Sequence, residues 1–495
     1  MAFESWIDGR WRPAKSGRHF AVTNPANGET IAEVAEGVEA DVDDAVQAAR
    51  RAFLGWSQRS GAERADVLHR AAQRLEERLA VLVSIEIDQI GRPRREMAAQ
   101  LARLPEWYRY FAAVARTHED TVPPFGTQHL NYTRRVPLGV VAQVTPWNHP
   151  LLILTKKVAP ALAAGNTIVV KPSELAPITP LLLGEVLREA GVPDGAYNVV
   201  PGFGPTAGAA LCAHPDVAKI DLTGGTETGK RVAAAAGAAL KRVSAELGGK
   251  AALIAFPDVD VERCVAATLF ASFIASGQTC VQGSRLLVHR SIHDEVVGRL
   301  VQRANAIRLG DPQQLSTQMG PLVSARQREL VERWVAIGID EGATLAAGGR
   351  RPEGSALERG FFLQPTIFTG VTPAMRVARE EIFGPLVCVM PFDDEDEAIA
   401  IANGTEFGLA SSVWTRELAR AHRVAHRLQC GIVWINDHHR IDPASPWGGF
   451  RMSGIGRENG LVAYDEYTQI QNVVVNLSEE PFDWYADDAG EKRYS

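Results

Sequence analysis

Residues 140–174 read VVAQV-TPWNHP-LLILTKKVAPALAA-GNTIVV-KPSE, and this stretch decides the fold. VVAQV is a short apolar run rich in β-branched residues, which reads as a buried strand. TPWNHP is a loop punctuated by two prolines. From 151 to 164 the chain is apolar and long enough for a helix, and Gly165 closes it. TIVV is a second strand at 167–170, ending at Lys171-Pro-Ser-Glu174. Strand, loop, helix and strand in this order make a βαβ unit.

The unit repeats towards the C-terminus. A helix over 179–190 is followed by a strand at 197–200, and Pro201-Gly-Phe-Gly-Pro-Thr-Ala-Gly208 opens another helix. A strand at 219–222 leads into Thr223-Gly-Gly-Thr-Glu-Thr-Gly229, which opens the next. A strand at 241–244 runs into Glu246-Leu-Gly-Gly-Lys250. This alternation predicts an α/β fold with a parallel sheet and helices on both faces. Right-handed crossovers place the strand-to-helix loops at one edge, where ligands bind.

Upstream, residues 1–120 hold strand-like pieces at 6–8 and 30–34 and helices at 41–54, 64–89 and 105–114. Leu68, Leu75, Leu79 and Leu82 mark the apolar stripe of the second helix. Downstream, a second α/β block runs over about 251–435. It has a helix at 260–274, the loop Ala275-Ser-Gly-Gln-Thr-Cys280, and strands at 286–288, 386–389 and 432–435. The acidic run 393–397 suits a helix N-terminus. Residues 120–137 and 466–478 alternate like strands outside both blocks, the kind of piece that pairs between subunits. The tail after Glu479 is polar.

The 495 residues imply two to four domains at roughly 100–200 residues each. The net charge of −7 argues against nucleic acid as the main partner. No apolar run reaches the ~18 residues of a membrane span, and the N-terminus lacks the pattern of a signal peptide. The five cysteines, Cys212, Cys264, Cys280, Cys388 and Cys430, form neither a disulfide framework nor a zinc pattern, so no metal is expected. Reduced thiols in a cytoplasmic enzyme are the natural reading.

Cys264 and Cys388 sit in apolar stretches, as packing cysteines do. Cys280 instead follows Ser-Gly-Gln-Thr in a polar loop, where a substrate can reach a nucleophilic thiol. A buried structural cysteine is the competing reading. Glu246 lies where a strand meets a glycine turn, on the functional edge of the sheet, with a surface or capping role as its alternative. The glycine loops at 202–208 and 224–229 each precede a helix, whose N-terminus favours a pyrophosphate. Neither is a GxGxxG or Walker A sequence.

Together these segments resemble the NAD(P)-dependent aldehyde dehydrogenase superfamily over nearly the whole chain. The matching motifs are Thr145-Pro-Trp-Asn-His-Pro, Lys171-Pro-Ser-Glu, Pro201-Gly-Phe-Gly-Pro-Thr-Ala-Gly, Leu222-Thr-Gly-Gly-Thr-Glu-Thr-Gly, Glu246-Leu-Gly-Gly-Lys, Ser276-Gly-Gln-Thr-Cys, Glu380-Glu-Ile-Phe-Gly-Pro and Pro446-Trp-Gly-Gly-Phe-Arg-Met-Ser-Gly-Ile-Gly-Arg-Glu. The resemblance implies a Rossmann-type cofactor domain over 1–119 and 138–247, a second α/β catalytic domain over 248–449, and a small β oligomerisation element from 120–137 and 466–478. The tail is 479–495.

It also implies sulfur-mediated oxidation of a small-molecule aldehyde. Cys280 would attack the aldehyde carbon, Asn148 and the Cys280 backbone N–H would hold the oxyanion, and Glu246 would activate the water that hydrolyses the thioester. NAD would be the cofactor, with NADP less preferred because Glu174 meets its extra phosphate. Lys171, Ser173 and Glu174 would serve the adenine-side ribose. Gly204, Gly208, Thr223, Gly224, Gly225, Thr226 and Gly229 would line the phosphate region, with Gly225 replacing a more usual Ser. Glu381 would hold the nicotinamide ribose. Phe383, Leu247, Thr145, Pro146 and Trp147 would border the same crevice. Lys157 and Glu458 match a family pair near the catalytic Glu, with a structural salt bridge as the alternative.

The substrate pocket implied by the resemblance comprises His149, Ile153, Lys156, Thr279, Val281, His439, Arg440, Ile441 and Trp447, with Asp437 and Asp442 as acids near Arg440. Members with an aromatic tunnel for simple aldehydes often carry Phe and Trp where this chain has His149 and Lys156. The departure points to a polar or acid-bearing aldehyde. His438 and His439 form no metal-ligand spacing, and loop hydrogen bonding is their expected role. Two rivals are a CoA-acylating semialdehyde dehydrogenase and a non-catalytic binding protein on the same scaffold. Glu246 opposes the first, since hydrolysis is the step that needs a base, and the presence of Cys280, Glu246 and Asn148 opposes the second. A homodimer or homotetramer is expected.

Overall fold

The computed structural model describes residues 1–479 and 485. The predicted βαβ run forms the centre of an eight-stranded sheet. Its order is Gly454–Ile455, Arg242–Glu246, Val217–Thr223, Val140–Val144, Thr167–Lys171, Tyr197–Val199, Ser5–Ile7, Arg10–Arg12. The five middle strands are parallel, and the flanking ones are antiparallel. Val140–Val144 comes first of the five in sequence and lies in the middle. The strand order therefore reverses beside it, which opens a crevice at the carboxyl ends.

Helices cover both faces of this sheet. On one face pack Gly61–Ile90, Leu104–Thr117, Pro150–Ala163 and Ile178–Glu189. On the other lie Glu39–Trp56, Ala209–Ala213 and Thr226–Ala238. The longest helix starts where the sequence supplies a capping box: Ser60 Oγ accepts from the Glu63 N–H at 3.3 Å, and the Glu63 carboxylate accepts from the Ser60 N–H at 2.7 Å. The expected helix opening after Pro201 is a π-helical turn, Gly204–Gly208, before Ala209–Ala213. Such turns recur at functional sites.

The second sheet has seven strands in the order Thr344–Ala347, Thr366–Thr369, Leu386–Phe392, Arg285–His289, Ala252–Ala255, Ala410–Trp414, Ile432–Ile435. All pairs but the first are parallel. Ala252–Ala255 and Ala410–Trp414 escaped the sequence reading, because ALIA reads as helix and ASSVW as loop. Asp394 caps the helix Glu395–Asn403, as the acidic run predicted.

Two expectations need correction. The cofactor-domain range 1–119 and 138–247 leaves out Gly454–Ile455, which pairs with Arg242–Glu246 in the same sheet. Of the stretch 120–137, only His129–Pro137 is a strand, since Pro123 and Pro124 cannot donate to a ladder. It pairs antiparallel with Thr468–Asn476 of the same chain. A separate three-stranded sheet near the N-terminus contains Ala2–Phe3, Thr30–Ala35 and His19–Thr23. Among the described residues no helix is long and apolar enough to cross a membrane. The tail read as 479–495 lies outside the described residues, apart from Glu479 and Tyr485.

Candidate active site

Loops from the carboxyl ends of the first sheet meet a loop of the second around one cavity of about 860 Å³. Cys280, Glu246 and Glu458 line it, together with His149, Ile153 and Lys156 from one side and Thr279, His439 and Trp447 from the other.

Cys280 ends a strained loop. Ala275, Ser276 and Gly277 take φ of 52, 54 and 71°, and each non-glycine residue there costs about 1–2 kcal/mol. Tertiary anchors over-determine this backbone. The Glu96 carboxylate accepts from the Ala275 N–H at 3.1 Å, and the Ser276 hydroxyl donates to the Gly320 carbonyl at 2.8 Å. Gln278 Oε1 accepts from the Val323 N–H at 2.9 Å. Burial pushes the Cys280 thiol up to about 12, with Lys156 opposing and Glu246 adding. Burial thus disfavours the thiolate in the resting site.

Asn148 follows the central strand and precedes the helix Pro150–Ala163. Its buried amide donates to the Gln278 carbonyl at 3.0 Å, which ties it to the thiol loop and leaves its second N–H unspent. Glu246 is the last residue of its strand, beside Thr223 on one neighbour and Gly454 on the other. It is buried, and among the described residues neither carboxylate oxygen has a hydrogen-bond partner. Burial first, and Glu458 second, raise it well above the ordinary carboxylate range, against Lys156 and Lys157. An orphaned carboxylate with raised proton affinity, sharing a cavity with a thiol, is suited to moving protons.

Glu458 is held between two lysines. Lys157 Nζ donates to it at 2.6 Å and to Asp221 at 2.5 Å, and Lys156 Nζ reaches the other oxygen at 2.5 Å. Lys156 also stands 4.6 Å over the Trp447 ring, and the Tyr467 hydroxyl donates to Asp221. Burial opposes the charge on Glu458, but the two ammonium groups outweigh it and hold the carboxyl below its ordinary range. The pair is thus a buried salt bridge and a border of the cavity at once. Lys156 is not a free cation.

On the other side of Glu246 lies a glycine-lined crevice. Lys171 Nζ, buried, pairs with the part-exposed Glu174 at 3.4 Å, and Ser173 Oγ accepts from the Leu175 N–H. Gly204 and Gly225 face open space, and Gly208 lies against the Lys171 stem. A Cβ at Gly229 would come within 2.4 Å of Leu247, so glycine lets the helix Thr226–Ala238 approach the sheet. Glu381 accepts from the Gly249 N–H at 3.0 Å, and burial raises it to about 7. Trp147 and Phe383 meet edge-on at 5.4 Å. Among the described residues, the hydroxyls of Thr145 and Thr226 are buried without a partner. Orphaned hydroxyls beside an open helix N-terminus fit a pyrophosphate-bearing dinucleotide.

Of the expected pocket residues, Val281 is a correction. Its side chain is fully buried against Leu409, Trp434 and Trp447 and does not line the cavity. The turn beyond Thr279 and Cys280 buries its side chain, and its carbonyl accepts from His438 Nε2 at 2.8 Å. His438 also meets Ser412 and is structural. His439 faces the cavity and pairs with the Thr279 hydroxyl at 3.2 Å. Arg440 borders the mouth, mostly exposed, on Asp437 at 3.2 Å. Ile441 lines the wall. Among the described residues no group of acids, His and Cys could hold a metal ion.

Sequence reasoning missed Arg92 and Gln100. Both come from the region around the short helix Arg94–Leu101, and both border the cavity beside His149. A charged residue next to a helix carries no local signal that separates it from the many on the surface.

The sequence pattern of the aldehyde dehydrogenase family matches residues 11–473. The chain belongs to the aldehyde dehydrogenase family. The betaine aldehyde dehydrogenase of Bacillus subtilis (strain 168) is 43% identical over 489 residues, which is 98% of this chain and 100% of that protein. The NAD⁺ complex of an aldehyde dehydrogenase from Bacillus cereus superposes with a TM-score of 0.94 at 42% identity, over 97% of each chain. Betaine aldehyde dehydrogenase from Staphylococcus aureus, solved with NAD⁺, gives 0.96 at 36% identity, over 98% of this chain and 96% of that one. This aldehyde dehydrogenase therefore shares both its fold and its extent with enzymes of known class.

Proposed function

We propose that the protein oxidises a polar aldehyde to the carboxylic acid through a covalent adduct on Cys280, with NAD⁺ as its cofactor. The observation that carries this reading is the meeting of Cys280 and the Glu246 carboxylate at one cavity, with the Asn148 amide tied to the loop that carries the thiol. The Cys280 thiol gives up its proton to solvent, and its sulfur bonds to the aldehyde carbon. The oxygen of that carbon takes up negative charge and is met by the Asn148 side-chain N–H and the Cys280 backbone N–H. One such donor is worth about 10²–10³ in rate. NAD⁺, when bound, supplies the hydride acceptor that the oxidation requires. Glu246 then takes a proton from water, the water oxygen bonds to the thioester carbon, and the C–S bond breaks to release the acid and the thiolate.

Lys171, Ser173 and Glu174 would hold the adenine-side ribose, the 204–208 and 223–229 loops the phosphates, and Glu381 with Phe383 the nicotinamide end. Glu174 disfavours the extra phosphate of NADP⁺, although the Lys171 contact and its exposure weaken the repulsion. The chain would assemble as a homodimer or homotetramer through the ribbon of His129–Pro137 and Thr468–Asn476. Ile470, Val474 and Val475 are exposed there, which supports this reading. The five free cysteines suit a cytoplasmic protein.

Stopped-flow kinetics of the Glu246→Gln variant test the mechanism. We expect a burst of reduced cofactor near one per site, then turnover slowed at least tenfold by thioester hydrolysis. Cys280→Ala should lose the burst altogether. An unchanged steady state in Glu246→Gln would remove Glu246 as the base.

A further inference from the structure

Arg92 borders the cavity although its side chain is only 3% exposed. Its Nε donates to Glu96 at 3.1 Å. Its Nη1 donates to Gln100 Oε1 at 3.0 Å and to His149 Nδ1 at 2.7 Å. Among the described residues, no hydrogen bond engages Nη2. Because His149 Nδ1 accepts, the ring proton sits on Nε2. That N–H also has no partner among the described residues, and buried His149 lines the same cavity. Burial first, then Arg92 and His439, hold the ring well below its ordinary pKa, so it is a neutral donor. Two unspent N–H donors on touching side chains that border the cavity offer a pair of sites to an acceptor with two oxygens.

The charge around them has one sign. Seven Lys or Arg residues line the cavity against three acids. Of those acids, Glu246 belongs to the chemistry, Glu458 is paired with Lys156 and Lys157, and Glu96 balances Arg92. Towards the mouth stand Arg95, Arg103, Arg303, Arg308 and Arg440. Arg103, Arg303 and Arg440 have acidic partners outside the lining, whereas Arg95 and Arg308 have no ion pair among the described residues. A low-dielectric cleft lined this way concentrates anions.

We infer that the cavity takes an aldehyde carrying a carboxylate remote from its carbonyl, the carboxylate seated on Arg92 Nη2 and His149 Nε2–H. This rests on the reading of Cys280 as the nucleophile in the same cavity. The carboxylate supplies two acceptor oxygens to two donors, a match stronger than neutral pairing. A quaternary ammonium aldehyde, for which the Bacillus subtilis and Staphylococcus aureus relatives are named, brings the wrong sign and no acceptor.

The test compares 6-oxohexanoate, hexanal and betaine aldehyde with NAD⁺ as co-substrate. For the unaltered enzyme, kcat/KM for 6-oxohexanoate should exceed that for hexanal at least tenfold, mostly through KM, with betaine aldehyde below both. Added salt should shrink the ratio. Arg92→Met should bring it towards one. Because Arg92 also anchors Glu96, the exposed pair Arg95→Gln/Arg308→Gln is a second test, and it should lower the ratio severalfold and flatten its salt dependence. Hexanal equal to or better than 6-oxohexanoate overturns the inference, while the oxidation itself still stands. If no aldehyde reduces NAD⁺, the reaction reading fails instead, and calorimetry on the Cys280→Ala protein decides the subsite alone. At least tenfold tighter binding of 6-oxohexanoate than of hexanal supports it, and equal binding overturns it.

Discussion

Lys156 sits one residue before the buried Lys157 on the helix Pro150–Ala163, and its charge acts on both the thiol and the carboxylate of the cavity. Its ammonium pairs with Glu458 and lowers the proton affinity of both Cys280 and Glu246. Both groups are nonetheless raised, Cys280 to about 12, so the base form of each grows as pH increases. Activity should therefore climb with pH along a limb above the ordinary carboxylate range. Lys156→Met removes the opposing charge and leaves Glu458 less balanced beside Glu246, with Lys157 and Asp221 unchanged. Both effects have the same sign. The limb should move to higher pH, with a severalfold loss of kcat near pH 7, while Lys156→Arg restores it. A pH profile that does not move would show that Lys156 only packs on Trp447. At this scale the sequence was legible where a residue sits in a loop that its type does not explain otherwise. Cys280 in a polar loop and Glu246 before a glycine turn are such residues. Val281 was misplaced because adjacency in sequence says nothing about which way the next side chain turns.

The loop Ala275–Gly277 is the element on which the thiol depends. Its sequence reads as a turn, but three successive left-handed residues are not legible in it, because Ala275 and Ser276 have no such preference of their own. Glu96, Gly320 and Val323 impose the conformation from distant segments. Gly277 is the residue that allows it: a Cβ there would lie 2.1 Å from the Gly384 carbonyl oxygen, at a φ of 71°. Gly277→Ala should shift the loop and with it Cys280. A displacement of about 1 Å at a reacting group can cost ~10² in rate. We expect at least that loss in kcat/KM, with a lower Tm by calorimetry but a folded chain by circular dichroism. Near-normal turnover would mean that the loop tolerates movement and that its strain has no role in placing the sulfur. The helices needed no such help. Asp394 ahead of Glu395–Asn403 announced its start, whereas the Ser60–Glu63 capping box begins the longest helix at Gly61, three residues before the expected 64.

Across the whole molecule, the βαβ run was legible because each strand, loop and helix follows its own period, and crossover handedness does the rest. The second sheet was only partly legible, since four-residue strands such as Ala252–Ala255 owe their state to neighbours on both sides. The ribbon of His129–Pro137 and Thr468–Asn476 lies outside both sheets, and pairing within the chain satisfies only one edge of each strand. Ile470 is 63% and Val474 46% exposed, and their spacing of four puts them on one face. An open edge with exposed apolar residues is a template for another chain. Ile470→Glu/Val474→Glu places two like charges on that face in every copy. Sedimentation should then give the mass of a single chain, where the unaltered protein gives two or four. If the unaltered protein sediments as one chain, or the double variant keeps its assembly, the ribbon is not the interface.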